Sequence, residues 1–208
     1  MTALLPPPIV RLVVCGNADR GDDGVALAAA ATLLPELPPD LAPKLEVRRC
    51  PDLRTEDLID LPDGMQVLIV DAVIGLTPGD VVRMPLGELV AHPAFTPRSS
   101  HQLPIDLVVG LAGVIRRRPI PGAFVGLSGH RFGYGTPLSR AARAGLPAFR
   151  AAIVDELTRL AGSEVPICPD APSTTAATSV AVPASMPATA PTDVRPGRRP
   201  ARHHVAEA

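Results

Sequence analysis

Residues 67–73 read Val67-Leu68-Ile69-Val70-Asp71-Ala72-Val73, and this stretch decides the fold. The run is continuous and rich in β-branched side chains instead of alternating with polar ones. A strand of that kind is buried on both faces, as in a parallel sheet covered by helices on either side. A single carboxylate, Asp71, interrupts it where every neighbour belongs in a core.

Working outward, the chain alternates strands with helices. Val10 to Cys15 reads as a first strand, followed by a polar, Gly-containing loop and an Ala-rich helix from about Gly24 to Leu34 that Pro35, Pro38 and Pro39 stop. Leu45 to Cys50 is a weaker second strand, Thr55 to Leu61 a short helix, and Val67 to Val70 the third strand. Val81 to Met84 has the character of an edge strand, Ile105 to Ile115 of a helix starting after Pro104, and Ala123 to Leu127 of a last strand. Ser139 is placed to cap a closing helix that runs to about Leu160. The expected architecture is α/β: three layers, α/β/α, with a mostly parallel twisted sheet of about five strands flanked by helices.

Composition agrees with that reading and limits the function. Hydrophobic residues make up 46% of the 208 residues but aromatics only 2%, so the core is expected to be aliphatic. Lys+Arg number 20 against Asp+Glu 21, a net charge of −1, which supplies no global field for nucleic acid or an anionic membrane. The three cysteines, Cys15, Cys50 and Cys168, show no CxxC spacing, which argues against a zinc ribbon or a disulfide framework and for free thiols in a reducing cytosol. The start of the chain has neither a basic n-region nor a sustained apolar stretch, so no signal peptide or membrane span is expected and the protein is read as cytoplasmic. Three segments result: an N-terminal extension 1–9, an α/β domain 10–162, and a Pro/Ala/Ser/Thr-rich tail 163–208 expected to be disordered, with a small basic cluster near its end.

In open α/β sheets ligands bind at the loops beyond the carboxyl ends of the strands. The loop after the first strand is Gly16-Asn17-Ala18-Asp19-Arg20-Gly21-Asp22-Asp23-Gly24, with adjacent carboxylates at a helix start that either form a site or merely cap the helix. Asp71 closes the most apolar strand and needs a metal, a cation or several donors, unless backbone amides of the next turn satisfy it. His101, in Ser99-Ser100-His101-Gln102, supplies an imidazole just before the Pro104 helix. Two carboxylates and one imidazole on separate loops form an N/O set suited to a divalent transition ion such as nickel, and the lack of thiolates there disfavours structural zinc. Arg20 and His130 are weaker candidates, and Cys15 reads as an inert buried thiol more readily than as a nucleophile beside His101.

These pieces, in order, resemble the hydrogenase maturation proteases, endopeptidases that trim the C-terminus of the large subunit of nickel–iron hydrogenases. Gly16-Asn17, Arg20 and Asp22-Asp23-Gly24 look like that family's opening motif. Val70-Asp71-Ala72-Val73 with Pro78-Gly79 looks like its second motif, and Ser99-Ser100-His101 like its third, across about Arg11 to Gly162. The resemblance implies that Asp23, Asp71 and His101 are both the catalytic and the nickel-contacting positions. It further implies that nickel arrives with the substrate, and that the partner is a hydrogenase large-subunit precursor cleaved only after nickel insertion. Two departures stand out. The family's Asp-Gly-Gly-Thr-like turn is Asp52-Leu53-Arg54-Thr55 here, and the glycine expected before Gly16-Asn17 is Cys15. The first departure leaves open a non-catalytic assembly factor that binds the nickel-loaded subunit; an unrelated metal-dependent hydrolase on the same scaffold is a third reading.

Overall fold

A computed structural model of the chain describes residues 7–92, 98–99 and 103–163, and for Arg98 and Ser99 only the backbone. The expected tail from residue 164 onward therefore lies outside the described residues, as does His101.

The strands are β1 (Val10–Cys15), β2 (Leu45–Cys50), β3 (Gln66–Ile74), β4 (Val81–Pro85), β5 (Arg98–Ser99) and β6 (Gly122–Ser128). The helices are α1 (Val25–Leu33), α2 (Glu56–Ile59), α3 (Leu86–Ala91), α4 (Ile105–Arg116) and α5 (Arg140–Gly162). The sheet runs β2-β1-β3-β6-β4, with two-residue β5 pairing on β3. β2, β1, β3 and β6 are mutually parallel, whereas β4 returns antiparallel on β6 as the edge strand its mixed composition suggests. This is the three-layer, mostly parallel sheet expected from the sequence.

Period-two alternation sorts the strand side chains onto two cores. Leu12, Val14, Leu68, Val70, Val125 and Leu127 face α1 and α5. Val13, Cys15, Val67, Ile69, Val73 and Phe124 face α2, α3 and α4. Phe124 and Phe149 are fully buried, one in each core, and most of the remaining filling is aliphatic. Ala26, Ala29 and Ala30 let α1 lie close to the sheet, and the Gln66 amide donates to the Leu160 carbonyl at 2.9 Å, holding the end of α5. Ser139 caps α5 as expected, its hydroxyl accepting from the Ala142 amide at 3.1 Å.

Three boundaries depart from the sequence reading. β3 extends to Ile74 because pairing with β6 continues through Val73, so Asp71 lies inside the strand and not after it. Pro35 is accommodated in a 3₁₀ turn, Leu34–Glu36, that continues directly from α1. α3 and β5 have no periodic signal long enough to be read locally; tertiary packing of Leu86 and Leu89, and pairing with β3, define them.

The amino end of the sheet is held by a buried cation. Arg11 on β1 is 2% exposed and reaches Asp60 at 2.5 Å, Glu46 at 3.1 Å and the Asp57 carbonyl at 2.9 Å. Arg48 joins the same two carboxylates at 2.8 Å each. Burial alone would raise the pKa of Glu46 and Asp60, but the two arginines hold both below the usual carboxylate range. Arg11→Ala removes a long buried side chain and leaves Glu46 and Asp60 to Arg48 alone. It should therefore lower the unfolding free energy by about 2 kcal/mol. Arg118→Ala, which breaks an exposed pair with Asp63, should cost less than about 1 kcal/mol, the two being compared by urea denaturation.

Candidate active site

The loop after β1 is built around a left-handed residue. Gly16 has φ of +126°, and a Cβ there would lie 2.0 Å from the Asp23 carbonyl oxygen, so only glycine lets the chain fold back on itself at this point. The Gly16 amide donates to the Cys50 carbonyl at 3.1 Å, tying the loop root to β2. Asn17 then organises the turn: its side-chain oxygen accepts from the Asp19 amide at 2.9 Å, and its own amide donates to Asp23 Oδ2 at 3.1 Å. The loop ends in a 3₁₀ turn, Gly21–Gly24, in which all four residues are buried.

The adjacent carboxylates of that turn do different work, and neither caps α1, whose N-cap is Gly24 without a side-chain bond. Asp22, fully buried, accepts backbone N–H bonds from Ser139 at 2.6 Å, His130 at 2.9 Å and Arg131 at 3.1 Å. Burial pushes its pKa upward, but the amides of His130, Ser139 and Arg131 outweigh it and hold the carboxyl below its ordinary 3.8. Asp22 is thus a pin between the loop after β1 and the segment after β6. Asp23, 1% exposed, takes the Asn17 amide and lies 3.9 Å from the Arg20 guanidinium. Arg20 pairs with Asp23 and not with Asp22, and also sits 5.3 Å from the centre of the Tyr134 ring.

Asp71 is fully buried within β3, level with Gly126 of β6. One of its oxygens accepts from the Ala72 amide at 2.7 Å. Its side chain belongs to the face of Cys15 and Val73, just where the pairing of β3 with β1 ends at Val14–Val70. The 3₁₀ turn that carries Asp23 packs against β3, so both carboxylates lie at the carboxyl edge of adjacent strands. The expectation that all three candidate residues sit on loops is therefore corrected for Asp71: a strand places it, and its neighbours are core.

His130 points its Nδ1 to within 3.7 Å of Asp22 Oδ2 and is about half exposed. Pro78-Gly79 forms the turn between β3 and β4, where Gly79 has φ of +96° and donates to the Ser128 carbonyl at 2.7 Å. Sequence reasoning passed over the role of the His130, Arg131 and Ser139 amides in fixing the first loop, because backbone donors leave no mark in side-chain identity.

No family model matches the chain. Among solved structures, the hydrogenase maturating endopeptidase HybD from E. coli aligns with a TM-score of 0.58 at 18% identity, covering 72% of this chain and 92% of that one. The NiFe hydrogenase maturation protease HybD from Thermococcus kodakarensis aligns at 0.51 and 23% identity, covering 70% and 97%. HycI from Thermococcus kodakarensis, also a NiFe hydrogenase maturation protease, aligns at 0.50 and 22%, covering 72% and 92%. The likeness is one of fold. The α/β architecture read from residues 67–73 is the architecture these enzymes share.

The Asp22 pin has a definite signature in acid. A carboxyl whose folded pKa is depressed contributes its full stabilisation above the ordinary carboxylate range and loses it as pH falls through the lowered folded value. Asp22→Asn should cost roughly 2–3 kcal/mol at pH 7, where charge-assisted bonds to the three amides are lost. In urea denaturation the gap from the parent protein should narrow as pH drops below about 4. A gap independent of pH would show that the carboxylate charge is not what holds the loop.

Proposed function

We propose that this protein is an endopeptidase that removes the C-terminal extension from the nickel-loaded large-subunit precursor of a nickel–iron hydrogenase. The observation that carries this reading is the burial of Asp23 and Asp71 together at the carboxyl edge of β1 and β3, the edge at which open parallel sheets bind their ligands. The ordered motifs and the fold shared with maturation endopeptidases point the same way.

Asp23, Asp71 and His101 are the residues proposed to act. Ser99 of β5 pairs with Val73, two residues beyond Asp71, and His101 is the second residue after Ser99 in the sequence. Two carboxylates with an imidazole suit nickel, which belongs to the substrate in this scheme. When present, nickel would polarise the scissile carbonyl or acidify a water. The protein's own part is positional: Asn17 holds Asp23, the Ala72 amide holds Asp71, and the buried setting excludes bulk water from both.

Substrate size has support of its own. Leu107, Leu111, Val114 and Ile115 are exposed along α4, which follows His101 in the chain, and form an apolar stripe of the kind that contacts a protein and not a small metabolite. No described helix is long and apolar enough to cross a membrane.

The test is cleavage of nickel-loaded precursor, followed by the mass shift of the large subunit. Asp23→Ala, Asp71→Asn and His101→Ala should each slow cleavage by about a hundredfold or more. The conservative change is chosen at Asp71 because its site is core. Pairing Asp23→Ala with His101→Ala should add little, since residues acting as a unit are non-additive. Asp19→Ala, on the exposed part of the loop, should cleave normally. Normal circular dichroism with no cleavage by the parent protein, yet retained binding to the precursor, would favour the assembly-factor reading. Separately, calorimetry with nickel salt should show only weak binding to the free protein, and stoichiometric nickel retained through dialysis would overturn delivery with the substrate.

A further inference from the structure

Cys15 and Cys50 end β1 and β2 and face each other directly across the parallel pair. Their sulfurs are 3.4 Å apart. Neighbouring strands run about 4.8 Å apart, inside the range of Cα separations that a disulfide spans, and both side chains leave the same face. Closing the bond needs the sulfurs to approach by only a little over ~1 Å, to about 2.05 Å. Cys15 is fully buried, whereas Cys50 is part-exposed and lines an open hollow of about 310 Å³ with Gly16, Asn17, Ala18 and Pro51.

We propose that Cys15 and Cys50 form a peroxide-reactive dithiol, a modification site at the root of the loop that carries Asp23. The part-exposed Cys50 sulfur attacks the peroxide O–O bond, giving a sulfenic acid and water. The Cys15 sulfur then attacks the Cys50 sulfur, forming the S–S bond and expelling the hydroxyl as a second water with the Cys15 proton. In sum two thiols and one hydrogen peroxide give one disulfide and two waters; the sulfurs lose two electrons and the peroxide gains them. The order follows from access: Cys15 is buried, whereas Cys50 opens on the hollow and meets peroxide first.

The position gives the modification a consequence. The Cys50 carbonyl accepts the Gly16 amide, and Gly16 opens the loop whose next residue binds Asp23. Cys15 itself stands where the resembled family's motif has glycine, so the dithiol belongs to this chain's departure from the pattern. A crosslink there draws the loop root toward β2 and away from β3, where Asp71 lies.

The full-length reduced protein is treated with hydrogen peroxide, quenched, alkylated with N-ethylmaleimide, and analysed by intact mass and a non-reducing peptide map. The expected product has lost two hydrogens, takes one alkyl group, at Cys168, and yields a peptide joining Cys15 to Cys50. Cys50→Ser, on an edge strand where substitution is tolerated, should abolish the link; Cys15→Ala should leave a Cys50 sulfenic acid that dimedone traps. A link through Cys168, or all three thiols still alkylated, would overturn the proposal. These readouts do not depend on the peptidase reading. If that reading also holds, peroxide should slow precursor cleavage at least tenfold in the parent, reversibly with dithiothreitol, and leave Cys50→Ser unaffected.

Discussion

Burying a carboxylate without water is tolerable only when donors replace its hydration, and Asp22 shows how one such residue organises the carboxyl edge of this sheet. Three backbone amides, from His130, Arg131 and Ser139, converge on it. They come from the connection between β6 and α5, so the bonds join the first loop of the domain to its last. Ser139 also caps α5, which makes the helix start and the loop one hydrogen-bonded unit. Asp23 inherits its position from this arrangement: with Asp22 turned toward the far connection, the next side chain is left to the Asn17 amide and the Arg20 guanidinium.

The two ends of the sheet are treated differently. At the amino end Arg11 gathers Glu46 and Asp60 into a network that pairs a buried cation with two carboxylates. At the carboxyl end the buried polar groups include three carboxyls, Asp22, Asp23 and Asp71, each accepting from at least one backbone amide. The cations at one end pair with carboxylates, and the carboxyls at the other are held largely by backbone amides. A nickel-bearing substrate is the partner proposed for that second arrangement.

The departures from the resembled family's motifs fall together in space. Cys15 replaces a glycine, and Cys50 lies two residues before the altered Asp52 to Thr55 turn. In that turn Leu53 is buried in the α2–α4 core and Thr55 precedes α2, so a packed apolar side chain stands where the family has a glycine. The region beside the first loop is built around packing and a sulfur pair, while Gly16 and Asn17 supply the left-handed turn and the side-chain-stabilised bend of the loop itself.

The sequence by itself determined the parallel strands, the helices α1, α4 and α5 within a few residues, and the candidate status of Asp23 and Asp71. Apolar runs, prolines, glycines and a cap at Ser139 are local signals, and a carboxylate in an apolar run is conspicuous without knowledge of its neighbours. Asp71 was legible as a site candidate but not as an interior strand residue, because the continuation of β3 depends on pairing with β6, fifty-five positions away from Asp71 at Gly126. The division of labour between Asp22 and Asp23, the Arg11 network and the meeting of Cys15 with Cys50 were decided only by tertiary structure. Each joins groups far apart in sequence, as Asp22 does with Ser139 across 117 positions, and the partners of Asp22 are backbone amides that every residue except proline carries. Such contacts are set by register and chain closure, which no local pattern encodes.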